Sequence, residues 1–210
     1  METYSSDEER LEAAQRWWKE NRQSIFSGLL LGLAIIAGWK MYQGNKADTN
    51  TQASAVYEQL TKATEAKQTE SATKLADRLL QQYSSTTYAE YARLFLAKLK
   101  VEAGDLAGAR KILDEAVAKS SDDAMKSLAR LRLGRVMLAL GEIDPALKML
   151  DALSDNAIGK MAGLYDELRG DLLVAAKRPG DARKAYEKAR AAGESSPLLE
   201  LKINDLPASN

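Results

Sequence analysis

LGRVMLALGEIDPALKML, residues 133–150, holds the pattern on which the fold turns. Leu133-Gly134 sets a small residue inside an apolar helical run, and Gly141-Glu142 interrupts that run seven residues later. Asp144-Pro145 then reads as an N-cap followed by proline at the first helical position. Ala146, Leu150 and Leu153 continue at helical spacing on one face. The stretch predicts helix, turn, helix. Antiparallel helices approach closely only where a small side chain on each faces the other, and the larger residue four positions on fills the groove beside the contact.

The same arrangement recurs on both sides. Ala97 precedes Ala109 by twelve residues, as Gly134 precedes Ala146 and Gly170 precedes Ala182; Leu113 and Ala116, then Tyr186 and Ala189, follow at the matching offsets. The period is 37 and then 36 residues. Gly104-Asp105 supplies the turn of the earlier unit and Arg178-Pro179-Gly180-Asp181 that of the later one. A degenerate unit falls at Leu60, Ala72, Ala76 and Leu79 by the same spacing. Ser196-Pro197 predicts the start of a last short helix, whose Leu198, Leu201 and Leu206 are expected to cover the apolar face of the final repeat. With only two phenylalanines, abundant Ala, Leu, Lys, Glu and Arg, and no run of alternating β-branched residues, the class is all-α.

At these residues the chain resembles the tetratricopeptide repeat, with Leu133-Gly134, Gly141, Ala146 and Leu150 the clearest match and Leu96-Ala97, Gly104, Ala109 and Leu113 the next. Three departures stand out. The Trp of the pattern is missing from every unit, Arg169 replaces a leucine, and the period exceeds the usual 34 by two or three residues, so longer loops between repeats are expected.

Upstream, QSIFSGLLLGLAIIAGW, residues 23–39, carries no charge over seventeen residues, and Met41 and Tyr42 extend its apolar character. That is the short end of what a membrane-spanning helix needs. Trp18 and Trp39 stand 21 residues apart, about 31 Å along an α-helix, as interfacial belts would. The leader is too long and too mixed in charge for a cleaved signal peptide. Arg10, Arg16, Lys19 and Arg22 precede the span, whereas Lys46 alone lies in the fifteen residues from Met41. The amino terminus is therefore expected in the cytoplasm and the rest on the far side, a single-pass type II arrangement. The expected organisation is a cytoplasmic tail at 1–22, a transmembrane helix at 23–42, a short polar neck at 43–50 and a repeat domain at 51–206. So brief a neck would hold the repeats near the bilayer surface.

Beyond Tyr42 the chain carries 25 Lys plus Arg against 24 Asp plus Glu, so no net field draws nucleic acid. Neither His nor Cys occurs, which removes the commonest general base, metal ligands and thiol nucleophile. The adjacent carboxylates Asp122-Asp123 and Asp166-Glu167 point about 100° apart on a helix and read as solvated groups or helix-start residues. No enzyme, cofactor or metal centre is expected. Binding surfaces remain. Gly28 and Gly32 would let another transmembrane helix approach closely, although glycine is common in such helices. The concave face of the repeats, read from the first helix of each pair, is expected to include Tyr91, Lys98, Val101, Leu128, Leu131, Arg135, Leu138, Asp171 and Val174, with some of the leucines turned into the core. Such an apolar groove edged by charge suits a peptide segment or helix.

The leader ending in Arg16-Trp17-Trp18-Lys19-Glu20-Asn21, the span with Gly28, Gly32 and Gly38-Trp39-Lys40, the repeats and the LKINDL tail together resemble the ancillary SecYEG translocon subunits, the YfgM family. That resemblance implies a bacterial inner-membrane protein with a periplasmic repeat domain. Its implied partners are SecYEG, a PpiD-type membrane-anchored periplasmic chaperone and exported polypeptides, and its implied role is a non-enzymatic adaptor or chaperone. Two alternatives stay open: an envelope scaffold that organises cell-wall or outer-membrane assembly factors, and a tether for a cytoplasmic regulator through the amphipathic tail at Leu11, Ala14 and Trp18. An interfacial helix lying on the headgroups is the favoured reading of that tail.

Overall fold

The computed structural model describes residues 7–207, with side chains from Arg10 onward. The described residues form ten α-helices and one 3-10 turn, and no strand. The first helix, α1, is Asp7–Glu65; it is followed by α2 (Thr69–Gln82), α3 (Thr87–Glu102), α4 (Leu106–Lys119), α5 (Asp123–Ala139) and α6 (Ile143–Asp151). The short α7 (Asp155–Ile158) and the 3-10 turn (Gly159–Met161) lead to α8 (Ala162–Ala175), α9 (Pro179–Ala191) and α10 (Pro197–Asn204). The chain divides between Thr51 and Gln52 into two units.

The first unit is helical through the apolar stretch, and residues 43–50, expected as a neck, are helical too. α1 is long and apolar enough to cross a membrane. Leu29, Leu30, Leu31, Ile35 and Ile36 are all exposed, as a lipid-facing helix requires. Trp18 meets Phe26 edge to face at 6.3 Å, and Trp39 lies 6.3 Å from Tyr42, so each end of the apolar run carries paired rings. A Cβ built on Gly28 or Gly32 meets nothing within 4 Å.

The second unit stacks helical hairpins. Ala97, Ala109, Ala146 and Ala182 are buried, and so are Leu60, Ala72, Ala76 and Leu79 of the degenerate first unit. One apolar core joins α3 to α8, a second packs the end of α1 with α2 and α3, and a third holds α8, α9 and α10. Each fully buried leucine, such as Leu113, contributes roughly 1.5–3 kcal/mol by leaving water.

Four turns repeat one backbone geometry. Lys67, Gly104, Gly141 and Lys177 each take a positive φ, between 55° and 77°. In each, the next residue's N–H reaches back to a carbonyl five residues earlier: Gln68 to Ala63, Asp105 to Lys100, Glu142 to Met137 and Arg178 to Leu173, all at 2.9 Å. This left-handed closure satisfies the last helical carbonyls. The turn of the last hairpin therefore pivots on Lys177 rather than on Gly180, and two of the four turns use lysine where glycine is easier.

Three local expectations are corrected. The link between α4 and α5 is only residues 120–122, so there the extra residues of the repeat lengthen helices, where each pairs its backbone N–H and C=O internally. The longer connection expected between repeats does occur between α6 and α8, where residues 152–161 hold α7 and the 3-10 turn. Asp144 does not cap α6, which begins at Ile143 with Glu142 before it and no side-chain cap; Pro145 fits because the first turn has no N–H acceptors to lose. In α10, Ser196 caps as expected, accepting from the Leu199 N–H at 3.0 Å, but Leu199 and Ile203 are the buried pair. Leu198 and Leu201 are 59% and 58% exposed. With Leu199 and Ile203 packed into the third core, Lys202 reaches Glu167 and Asp171 of α8 and the neighbouring Leu201 faces out.

A candidate peptide-binding groove

α3 presents Tyr88, Tyr91, Phe95, Lys98 and Glu102 along one stripe, at steps of three or four residues. Its amino-terminal half is aromatic. Tyr57, from the end of α1 within the second unit, lies 5.5 Å from Tyr88, 5.6 Å from Tyr91 and 5.8 Å from Phe95 between ring centroids, the last edge to face. Burial first, then the neighbouring Tyr91 and Tyr88, raises the pKa of the Tyr57 hydroxyl, so that hydroxyl stays a neutral donor near neutral pH. Tyr91 keeps 36% of its surface exposed.

Further along the stripe, α3 and α5 leave a groove of about 380 Å³ between them. Ala97 and Val101 of α3, Leu106 and Leu113 of α4, and Val136 and Ala139 of α5 form its apolar walls and floor. Lys98, Glu102, Arg132 and Arg135 line it with charge. Lys98 lies 3.6 Å from Glu102. Arg132 is half-buried, and its guanidinium donates only a long 3.4 Å bond to the Leu94 carbonyl. Burial, then the positive charge of Arg135, pushes the Arg132 pKa below its ordinary value, although an arginine so placed remains charged at neutral pH.

Of the residues expected here, Lys98, Val101 and Arg135 line the groove and Tyr91 stands on the aromatic part of the same α3 stripe. Leu131 does not: it is 1% exposed and belongs to the core. Leu128 and Leu138 are half-buried against that core. Asp171 is engaged by its own chain, accepting from the Tyr186 hydroxyl at 2.8 Å and pairing with Lys202 at 2.7 Å. Val174 is exposed, away from the groove lining. Reading α5 through Leu128, Leu131, Arg135 and Leu138 found Arg135 but missed Arg132 and Ala139, each the residue after an expected leucine and so about 100° further around the helix. Phe95 was within reach of sequence reasoning, four residues after Tyr91; Tyr57 was not, because only packing brings α1 beside α3.

Two of the four adjacent carboxylates, Asp122 and Glu167, have structural partners. Asp122 caps α5 through the Met125 N–H at 2.8 Å, and Glu167 pairs with Lys202 at 2.7 Å. Burial raises the pKa of Asp166, against the pull of Lys188 and Arg169. Among the described residues no group of three or more acidic side chains could hold a metal ion.

A family model described as a tetratricopeptide repeat-like domain matches residues 15–208. The chain belongs to the tetratricopeptide repeat-like domain family. Two curated relatives are each named Ancillary SecYEG translocon subunit. The one from Haemophilus influenzae is 35% identical over 106 residues, covering 50% of this chain and 51% of its own. The one from Escherichia coli is 29% identical over 105 residues, covering 49% and 51%. This tetratricopeptide repeat-like chain thus spans about half the length of the curated relatives it matches. A solved structure of Pseudomonas aeruginosa PilF superposes with a TM-score of 0.62 at 18% identity, over 75% of this chain and 68% of that one, a likeness of fold alone.

Proposed function

We propose that this chain is a non-enzymatic adaptor and chaperone of the bacterial inner membrane, anchored by α1 beside SecYEG with its repeat unit in the periplasm. There it binds a PpiD-type membrane-anchored chaperone and newly exported polypeptides through the face formed by α3 and α5. The observation that carries this reading is the open apolar groove of about 380 Å³ beside an exposed aromatic cluster, a surface fit for side chains of another polypeptide. The name shared by the two curated relatives supports the choice of SecYEG over an envelope-assembly scaffold. The lysine and arginine excess before the span supports the orientation.

A photoreactive residue at Tyr91 of the full chain, activated in intact membranes, is expected to capture SecYEG, the anchored chaperone or a nascent exported chain. Capture of none of the three overturns the role. A reporter active only outside the cytoplasm, fused after Asn210, is expected to be active; an inactive reporter on membrane-bound protein overturns the topology.

A further inference from the structure

Within the groove, Arg132 and Arg135 share the lining with a single carboxylate, that of Glu102. Neither forms an ion pair with a described residue, whereas Lys98 already faces Glu102. Two guanidiniums one helical turn apart repel each other, and the apolar walls below them strengthen both that repulsion and any attraction to an incoming anion. The aromatic half of the α3 stripe lies beside this basic half: Tyr91 to Lys98 is seven residues, about 10 Å along the helix.

We propose that the groove takes an apolar polypeptide segment that carries an aspartate or glutamate side chain, its carboxylate held by Arg132 and Arg135 and its large apolar side chains set against Tyr57, Tyr91 and Phe95. The inference rests on the peptide-binding reading above and adds the chemistry of the occupant. Arginine suits the task because its planar fork meets both oxygens of a carboxylate. An apolar anchor and an acidic residue about seven positions apart in a helical ligand span the roughly 10 Å from Tyr91 to Lys98, which lines the groove together with the arginines. A side chain within the segment is the favoured source of the carboxylate because the stripe continues past the arginines to Glu102, which would repel a terminal carboxylate placed there.

The full chain in a non-ionic detergent is titrated into labelled peptides, each with phenylalanine and leucine on one helical face. One carries glutamate about two turns from the phenylalanine, one glutamine there, one lysine there, and one glutamine there with a free terminal carboxylate, the other three being amidated. The glutamate peptide is expected to bind about tenfold more tightly than the glutamine peptide, with the difference shrinking in high salt. Arg135→Glu, at an exposed position that leaves the core intact, is expected to abolish the preference for glutamate and favour the lysine peptide. Equal binding of the glutamate and glutamine peptides overturns the inference while leaving the groove reading standing. Preference for the free terminal carboxylate overturns the side-chain assignment, and no binding by any peptide overturns the groove reading with it.

Discussion

Gly170 of α8 lies against the ring of Tyr186 of α9, sixteen residues later, so closely that a Cβ at position 170 would overlap three ring carbons. The ring has no way to retreat. Tyr186 is 2% exposed, and its hydroxyl donates to Asp171 at 2.8 Å.

Gly170→Ala is therefore expected to destabilise the repeat unit by about 1–2 kcal/mol, overpacking outweighing the gain of about 1 kcal/mol in helix propensity. Thermal unfolding of the full chain in detergent measures it. In a Tyr186→Leu background the same substitution is expected to become neutral or stabilising; an equal loss in both backgrounds would show that the ring is not the obstacle.

The four left-handed turns give opposite expectations for the same chemistry. Gly141→Ala, at a φ of 76°, is expected to cost about 1 kcal/mol. Lys177→Gly, at a φ of 58°, is expected to gain somewhat less, about 0.5 kcal/mol, since glycine also loosens the unfolded chain. Denaturant midpoints of the two variants, moving in opposite directions from the parent, check the pair.

Tyr165 ties α8 to α5 by donating its hydroxyl to the Ser127 carbonyl at 2.7 Å, while the Ser127 hydroxyl donates to the Ile158 carbonyl at 3.2 Å. Tyr165→Phe removes that bond, leaving the Ser127 carbonyl with its helical partner alone, and is expected to cost about 1 kcal/mol. Amide exchange should quicken first near α7 and the start of α8. Unchanged exchange there would mean that apolar packing alone holds the segment.

Lys202 latches α10 onto α8. Burial works against its charge, but Asp171 and Glu167 together outweigh that and raise its pKa. The folded pKa lies above the unfolded one, so the stability contributed is complete below the unfolded lysine pKa near 10.4 and is lost as pH rises through the folded value. Protection of the α10 amides, taken relative to their intrinsic base-catalysed exchange, is expected to hold at neutral pH and to fall in strong base. Lys202→Met should remove that pH step; its survival in the variant would assign it to another group.

Much of the architecture was legible because packing forces it into the chain. Small residues at 97, 109, 134, 146, 170 and 182 mark where helices must touch, and Gly104 and Gly141 mark turns that favour a residue without a Cβ. Gly134 shows the limit. Its spacing to Ala146 predicts a contact within the hairpin, yet a Cβ there would first meet Leu168 of the next hairpin, at 2.6 Å. Spacing tells that a helix surface must be flat, not which neighbour lies on it.

Sequence alone determined the helical hairpins, their period, the apolar run of α1 and the absence of histidine and cysteine chemistry, because each follows from local spacing or composition. Tertiary structure decided which stripe of each helix faces which neighbour. α10 offers Leu198 and Leu201 or Leu199 and Ile203 at equally good helical spacing, and packing against α8 and α9 selects the second, with Lys202 meeting Glu167 and Asp171 beside it. In α5 the burial of Leu131 leaves the next residue, Arg132, lining the groove beside Arg135, a role that the leucine spacing did not indicate. A residue's neighbours along a helix restrict its direction only in steps of about 100°, and contacts with distant segments settle the remainder.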